Sequence, residues 1–339
     1  MSGRDKESAS IEVAEKAAAV GRLMLGKFTN WDEFCRPATT DYTALPRRQL
    51  KSGFADVQHR LKAEIKKFCD KNFVSFQIEK LAALYDEILA NKGLESPLIE
   101  FENKYGKIHP RVLKGAPSHL TVSISLWGLK FRFPEDMLAK DIATSLQLIR
   151  TSKKNLRNYE NMPHSSVSAR TDDFVPSIRN LEFAQRAIVL SCFNLLEAYL
   201  NGLAWDYCQT HSLEHLSKRK AEFLQDTSSA SIREKLKNYP WIISGKEEFL
   251  LTGQSKFLDE VKPFRDSLVH PSPFTAPEKF GGYQKLQKFY DLDEGVVKLA
   301  VLSTLELIAS INQVVTESED IPAWCQPITD EIEQLNWRY

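Results

Sequence analysis

The segment Val261-Lys262-Pro263-Phe264-Arg265-Asp266-Ser267-Leu268-Val269-His270-Pro271 sets a guanidinium and an imidazole five residues apart near the end of a helical stretch. On an uninterrupted helix Arg265 and His270 would point about 140° away from each other. Pro271 disfavours the helical conformation at His270, so the helix is expected to end there and His270 to turn back beside Arg265. Placed together, the two suit phosphodiester chemistry. A guanidinium binds phosphate oxygens bidentately, and an imidazole titrates near neutral pH.

Other constellations carry less. Gly21-Arg22-Leu23-Met24-Leu25-Gly26-Lys27-Phe28 imitates a phosphate loop, but no Ser or Thr follows the lysine to hold magnesium. An alanine-rich helix, not a strand, is expected before it. His211-Ser212-Leu213-Glu214-His215 has the spacing of some zinc peptidases. Such a site needs these residues inside a helix, whereas here they fall between helices, with Ser212 expected to cap the next one. Lys218-Arg219-Lys220 and the stripe Lys62, Lys66, Lys67 could touch RNA phosphates, although charge runs on helix faces are usually just solvated.

The elements that must position Arg265 and His270 are helical. Residues 178–210 run almost without a breaker, with Phe183, Ala187, Leu190, Phe193, Leu196, Leu200 and Leu203 along one side. A helix apolar over so wide an arc belongs at the centre of a bundle. Shorter helices are expected near 214–224 and 231–238. Phe257, Val261, Phe264 and Leu268 mark a helix over 255–269. Val297, Val301, Leu305, Ile308, Ile311 and Val315 mark a last long one over 294–316. Two long helices, a shorter middle pair and a fourth core helix fit a four-helix bundle over 177–318, with 319–339 as a tail anchored by Trp324 and Trp337.

Upstream, Ile78, Leu81, Tyr85, Ile88 and Leu89 predict a helix over 75–92 that stops at Gly93. Ser96-Pro97 reads as the N-cap and first-turn proline of a short helix. Alternation at Val122, Ile124 and Leu126, resumed at Leu129, Phe131 and Phe133, predicts a hairpin or kinked strand pair within 120–133. A helix follows from about 134 to 160, carrying Leu138, Ile142, Leu146, Ile149 and Leu156. Residues 161–176, with Pro163, several serines and Pro176, read as a linker between a domain at 1–160 and the bundle. The expected fold class is therefore mainly α, with a small β element in the N-terminal domain.

Arg265 to His270, with a polar Asp266 directly after the arginine, resembles the R-x4-6-H signature of HEPN domains. The long helix through Ala187-Ile188-Val189-Leu190-Ser191-Cys192-Phe193-Asn194-Leu195-Leu196-Glu197 is similar to that family's second helix, which often carries an acidic residue where Glu197 stands. The order of elements agrees, and the resemblance covers roughly 177–318. It implies a metal-independent endoribonuclease of toxin–antitoxin or anti-phage settings, acting on RNA as a homodimer. In that role His270 would act on the ribose 2′-hydroxyl or its leaving group, and Arg265 would stabilise charge on phosphate. Asp266 would orient the pair, and Glu197 would support from the neighbouring helix. The alternative is a non-catalytic module of the same kind that dimerises or binds a partner protein, RNA or nucleotide. No metal or cofactor is expected; an antitoxin or regulator protein is an expected partner of either form.

Composition sets the outer bounds. Among 339 residues, Lys plus Arg and Asp plus Glu are equal at 45 each, so any attraction to nucleic acid must come from a local patch. Apolar residues at 42% and charged residues at 27% are ordinary for a globular chain. Cys35, Cys69, Cys192, Cys208 and Cys325 are scattered, without a CxxC pair. A reduced cytoplasmic setting is expected, without a signal segment or membrane span.

Overall fold

The computed structural model describes residues 73–75, 94–113, 115–125, 128–160, 171–228, 230–247, 249–271 and 282–337. The helix expected over 75–92, the phosphate-loop imitation at 21–28 and the Lys62, Lys66, Lys67 stripe lie outside the described residues. The chain divides into two compact units, Met1–Phe133 and Pro134–Tyr339. It is mainly α-helical, with one small sheet among the described residues.

In the first unit, strands β1 (Leu94–Pro97), β2 (Thr121–Ser125) and β3 (Gly128–Arg132) form an antiparallel sheet in sequence order. The alternation that predicted a hairpin is the register itself, with Val122 opposite Phe131 and Ile124 opposite Leu129. Strand β1 adds a third strand that its four residues did not announce, pairing Ser96 with Val122. Helix α1 (Leu98–Tyr105) therefore starts one residue beyond the expected place. Pro97 ends the strand and precedes the helix, and the Ser96 hydroxyl caps nothing. Phe101, Tyr105, Ile108, Leu120 and Val122 are buried and make a small core.

The second unit begins with α2 (Pro134–Glu160), the helix expected over about 134–160, although the expected domain boundary lies after it. It packs along α3 (Thr171–Thr210), so the compact bundle starts at 134, with α2 as one of its long members. Residues 171–176 of the expected linker are the first turns of α3. Pro176 lies within them, near enough to the helix start to cost little hydrogen bonding. The buried side of α3 is Ile188, Val189, Cys192, Leu195, Leu196, Leu200 and Ala204. The expected stripe began one face away, since Phe183 is 60% exposed.

Helices α4 (Lys218–Gln225) and α5 (Ile232–Ser244) follow. Ser217 caps α4, accepting from the Lys220 amide; Ser212 instead takes the Glu214 amide in the preceding loop. A capping box of Ser231 and Glu234 starts α5, satisfying amides that would otherwise lack partners. A π-helical turn (Lys256–Val261) leads into α6 (Lys262–Val269), which packs with α7 (Gly282–Tyr290). Helix α8 (Glu294–Thr316) then runs through the core, its side chains Val297, Val301, Leu305, Ile308 and Ile311 essentially without solvent contact. Burying each such side chain contributes about 1.5–3 kcal/mol, so α8, packed against α3, is a major source of the unit's stability.

Helix α9 (Gln326–Gln334) returns along α2, where Gln147 and Arg150 bond Glu331. Trp324 meets Tyr199 edge-on, and Trp337 is also buried. Windows within α3 and α8 have mean hydropathies of 1.4 and 1.5 and are long enough to cross a membrane, which the sequence was not expected to contain. Both serve here as core helices packed against each other, with 56% and 50% of those windows buried. Cys192 belongs to that core. Burial pushes its thiol up to about 12, only partly offset by a hydrogen bond with Thr304, so it is inert as a nucleophile.

Candidate functional site

The helix carrying Arg265 is not continuous. Pro263 has no amide hydrogen to return to the preceding turn, and its ring disturbs the i−4 ladder there. That turn is the π-helical one, closed by the Lys262 amide on the Phe257 carbonyl. The wider turn places Phe257, Leu258 and Val261 in the core and then re-aims α6, of which only Ser267 is buried. Such π turns recur where a helix must redirect side chains. Lys262, Arg265 and Asp266 thereby stay at the surface, each partly exposed.

At the other end α6 stops at Val269, as Pro271 implied. His270 leaves the helix with φ −127° and ψ 61°, while its amide still donates to the Asp266 carbonyl at 3.1 Å. His270 is exposed, and its imidazole makes no hydrogen bond among the described residues. Arg265 is held more tightly. Its guanidinium bonds Asp266 Oδ1 at 3.1 Å and lies 5.5 Å from the ring centroid of Phe193 on α3. Phe193 is itself buried against Phe257, with ring centroids 4.3 Å apart. Lys262 Nζ approaches Asp266 Oδ2 at 2.5 Å, the i,i+4 partner of the same carboxylate.

Partial burial by itself would raise the Asp266 pKa, but the hydrogen bonds and charges of Lys262 and Arg265 outweigh it and hold the carboxyl below its ordinary value. The folded pKa is depressed, so the stabilisation is present above the ordinary aspartate pKa and is lost as pH falls through the depressed one. Titration of Asp266 by NMR should therefore show it charged at pH values where a free aspartate is half protonated. An unshifted midpoint would mean that neither cation engages it.

Two further cations lie over aromatic rings of α6 and α7. Lys288 Nζ on α7 lies 4.7 Å from the Phe264 ring centroid, and the Arg186 guanidinium on α3 lies 5.9 Å from that of Phe289. Arg265, Lys288 and Arg186 thus each face an aromatic ring, those of Phe193, Phe264 and Phe289. The Lys262–Asp266 spacing was readable from the sequence. Lys288, Arg186 and the ring under Arg265 come together only through tertiary packing.

Glu197 departs from the expected support role. It stands one turn beyond Phe193 on α3, but its carboxylate bonds Lys235 Nζ on α5 at 2.6 Å. Lys235 is 1% exposed while Glu197 is 43% exposed, so the pair neutralises a buried ammonium at the bundle surface. The structure brings together Arg265, Asp266 and the backbone of His270, and it pairs Glu197 with another helix.

The H-x-x-E-H segment lies in the loop between α3 and α4. His215 Nε2 bonds the Tyr207 hydroxyl at 3.1 Å, and His211 stacks on the Tyr207 ring with centroids 4.4 Å apart. Among the described residues no three His, Cys, Asp or Glu side chains gather as a metal-binding set. No family model matches this chain, and neither a curated protein nor a solved structure does.

Proposed function

We propose that the end of α6 is the active site of a metal-independent endoribonuclease of the HEPN type, with His270 and Arg265 as its catalytic residues. The observation that carries this reading is the exposed His270 imidazole, which makes no hydrogen bond among the described residues, five positions beyond the partly exposed Arg265. RNA phosphates fit such a surface even though the chain as a whole is neutral.

In the reaction, His270 takes the proton from a ribose 2′-hydroxyl as its oxygen attacks the adjacent phosphorus. The bond to the 5′-oxygen breaks, and that oxygen takes a proton from water as it leaves, while His270 returns its proton to solvent. The products are a 2′,3′-cyclic phosphate and a 5′-hydroxyl. Arg265 stabilises the charge gathering on the phosphoryl oxygens. Asp266 keeps the guanidinium oriented, and Phe193 forms the platform beneath it. A homodimer would join two such helix ends, for which Val269, 43% exposed beside His270, offers an apolar contact. The setting we propose is cytoplasmic, in toxin–antitoxin or anti-phage defence, with an antitoxin or regulator as partner.

Two observations favour the non-catalytic reading: Asp266 already pairs with Arg265, and Lys235 already engages Glu197. Analytical ultracentrifugation alongside a cleavage assay separates the two. The enzyme reading expects a dimer that cuts RNA and a His270→Ala variant that is an equally stable dimer without cutting. A folded dimer of the wild type that binds RNA or a protein partner but never cuts it would support the binding module.

A further inference from the structure

A cavity of about 520 Å³ opens between the C-terminal end of α3, the 211–216 loop, α4 and the C-terminal half of α5. Its walls include Tyr207, His211, His215, Lys220, Lys237 and Lys246, and among the described residues no carboxylate lines it. That is a sharp local imbalance in a chain whose cationic and acidic residues are equal in number. Lys246 is already occupied, donating to the Val314 carbonyl at 3.0 Å and meeting Glu317 at 3.3 Å. Lys220 and Lys237 form no ion pair among the described residues. Two ammonium groups around one recess repel each other, and an anion placed between them relieves the repulsion.

The remaining lining is built rather than loose. Tyr207 fixes both histidines, His215 through its hydroxyl and His211 by a near-parallel ring stack with 12° between planes. Thr210 Oγ1 holds His211 Nδ1 at 2.8 Å. Trp241, largely buried, closes the wall on the α5 side. The size falls in the range of small-molecule sites, roughly 300–1,000 Å³.

We propose that this cavity binds a phosphate-bearing small molecule, whose phosphate lies between Lys220 and Lys237. The site explains what the His211–His215 segment does in the fold: it shapes an anion pocket. It stands apart from the proposed cleavage chemistry and uses none of its residues.

Isothermal titration calorimetry of the full chain with inorganic pyrophosphate and with AMP tests it, with adenosine as the phosphate-free comparison. Saturable binding of pyrophosphate and AMP is expected at roughly millimolar concentrations or below, one per chain. The Lys220→Gln, Lys237→Gln double variant should bind at least about tenfold more weakly. Lys218→Gln, which removes a neighbouring charge that does not line the cavity, should bind as the wild type does. Absence of saturable binding, adenosine binding as tightly as AMP, or equal weakening by Lys218→Gln would each overturn the proposal. Because the readout is binding heat, a failure here is distinct from a failure to cleave RNA.

Discussion

Replacing Glu197 by alanine is expected to destabilise the Pro134–Tyr339 unit by about 3 kcal/mol, the low end for breaking a buried ion pair. The loss comes from the partner. Lys235 is almost wholly buried on α5, and without Glu197 its ammonium has no ion-pair partner among the described residues, in a place that water barely reaches. The half-exposed side of the pair keeps the effect from being larger, because solvent screens Glu197. In a unit of this size the melting temperature should fall by roughly 6–12 °C. Changing both residues, Glu197→Ala with Lys235→Met, should recover most of the loss, since a neutral, similarly long side chain then fills the same space. Thermal unfolding followed by circular dichroism reads both results. A Glu197→Ala protein that melts with the wild type would show that Lys235 finds solvent instead of needing its carboxylate.

The same pair bears on chemistry. If Glu197 serves the bundle rather than the reaction, Glu197→Gln should keep most RNA cleavage at a temperature where the protein stays folded. Arg265→Lys should behave in the opposite way. Lysine keeps the charge and can still lie over Phe193, so stability should change little. It cannot present the planar fork that a guanidinium offers to two phosphoryl oxygens. The proposed cleavage should slow by about 10²–10³-fold, the range seen when one transition-state donor is removed. Single-turnover rates measure it. A lysine variant that cuts at the wild-type rate would remove Arg265 from the reaction and leave it a structural partner of Asp266.

The long helices were legible because their apolar residues recur every three or four positions over many turns. Residues 134–160 and 294–316 fall where periodicity puts them. The hairpin was legible for the matching reason, a period of two whose register pairs Val122 with Phe131. Domain membership was not. The turn chemistry at 161–176 suggested a break after α2, but the deciding fact is which surface α2 buries, and that surface belongs to α3. The π turn also escaped, because an i→i+5 bond leaves the +4, +3, +4 apolar spacing of Phe257, Val261, Phe264 and Leu268 almost intact. Pro263 was its local signal. Helix α7 was not anticipated: its nine residues are too few for a periodic pattern to stand out.

At the candidate site, the break at His270 could be read from Pro271, and the i,i+4 pairing of Lys262 with Asp266 follows from helix geometry. The role of Glu197 could not be read, since Lys235 lies 38 positions away and only packing of α5 on α3 brings it near. The cation platform of Phe193 is hidden in the same way. Charge and aromatic type are visible in sequence, but their partners are a property of the bundle.

The proposed reaction is a 2′-hydroxyl attack on RNA, driven by His270 without a metal. It is tested most directly by incubating the wild type and its His270→Ala variant with total RNA in excess EDTA and reading the chemistry of the fragment ends. Fragments ending in 2′,3′-cyclic phosphate and 5′-hydroxyl are expected from the wild type, and intact RNA from the variant. Cleavage that persists in His270→Ala, or wild-type fragments carrying 5′-phosphate and 3′-hydroxyl ends, would contradict it.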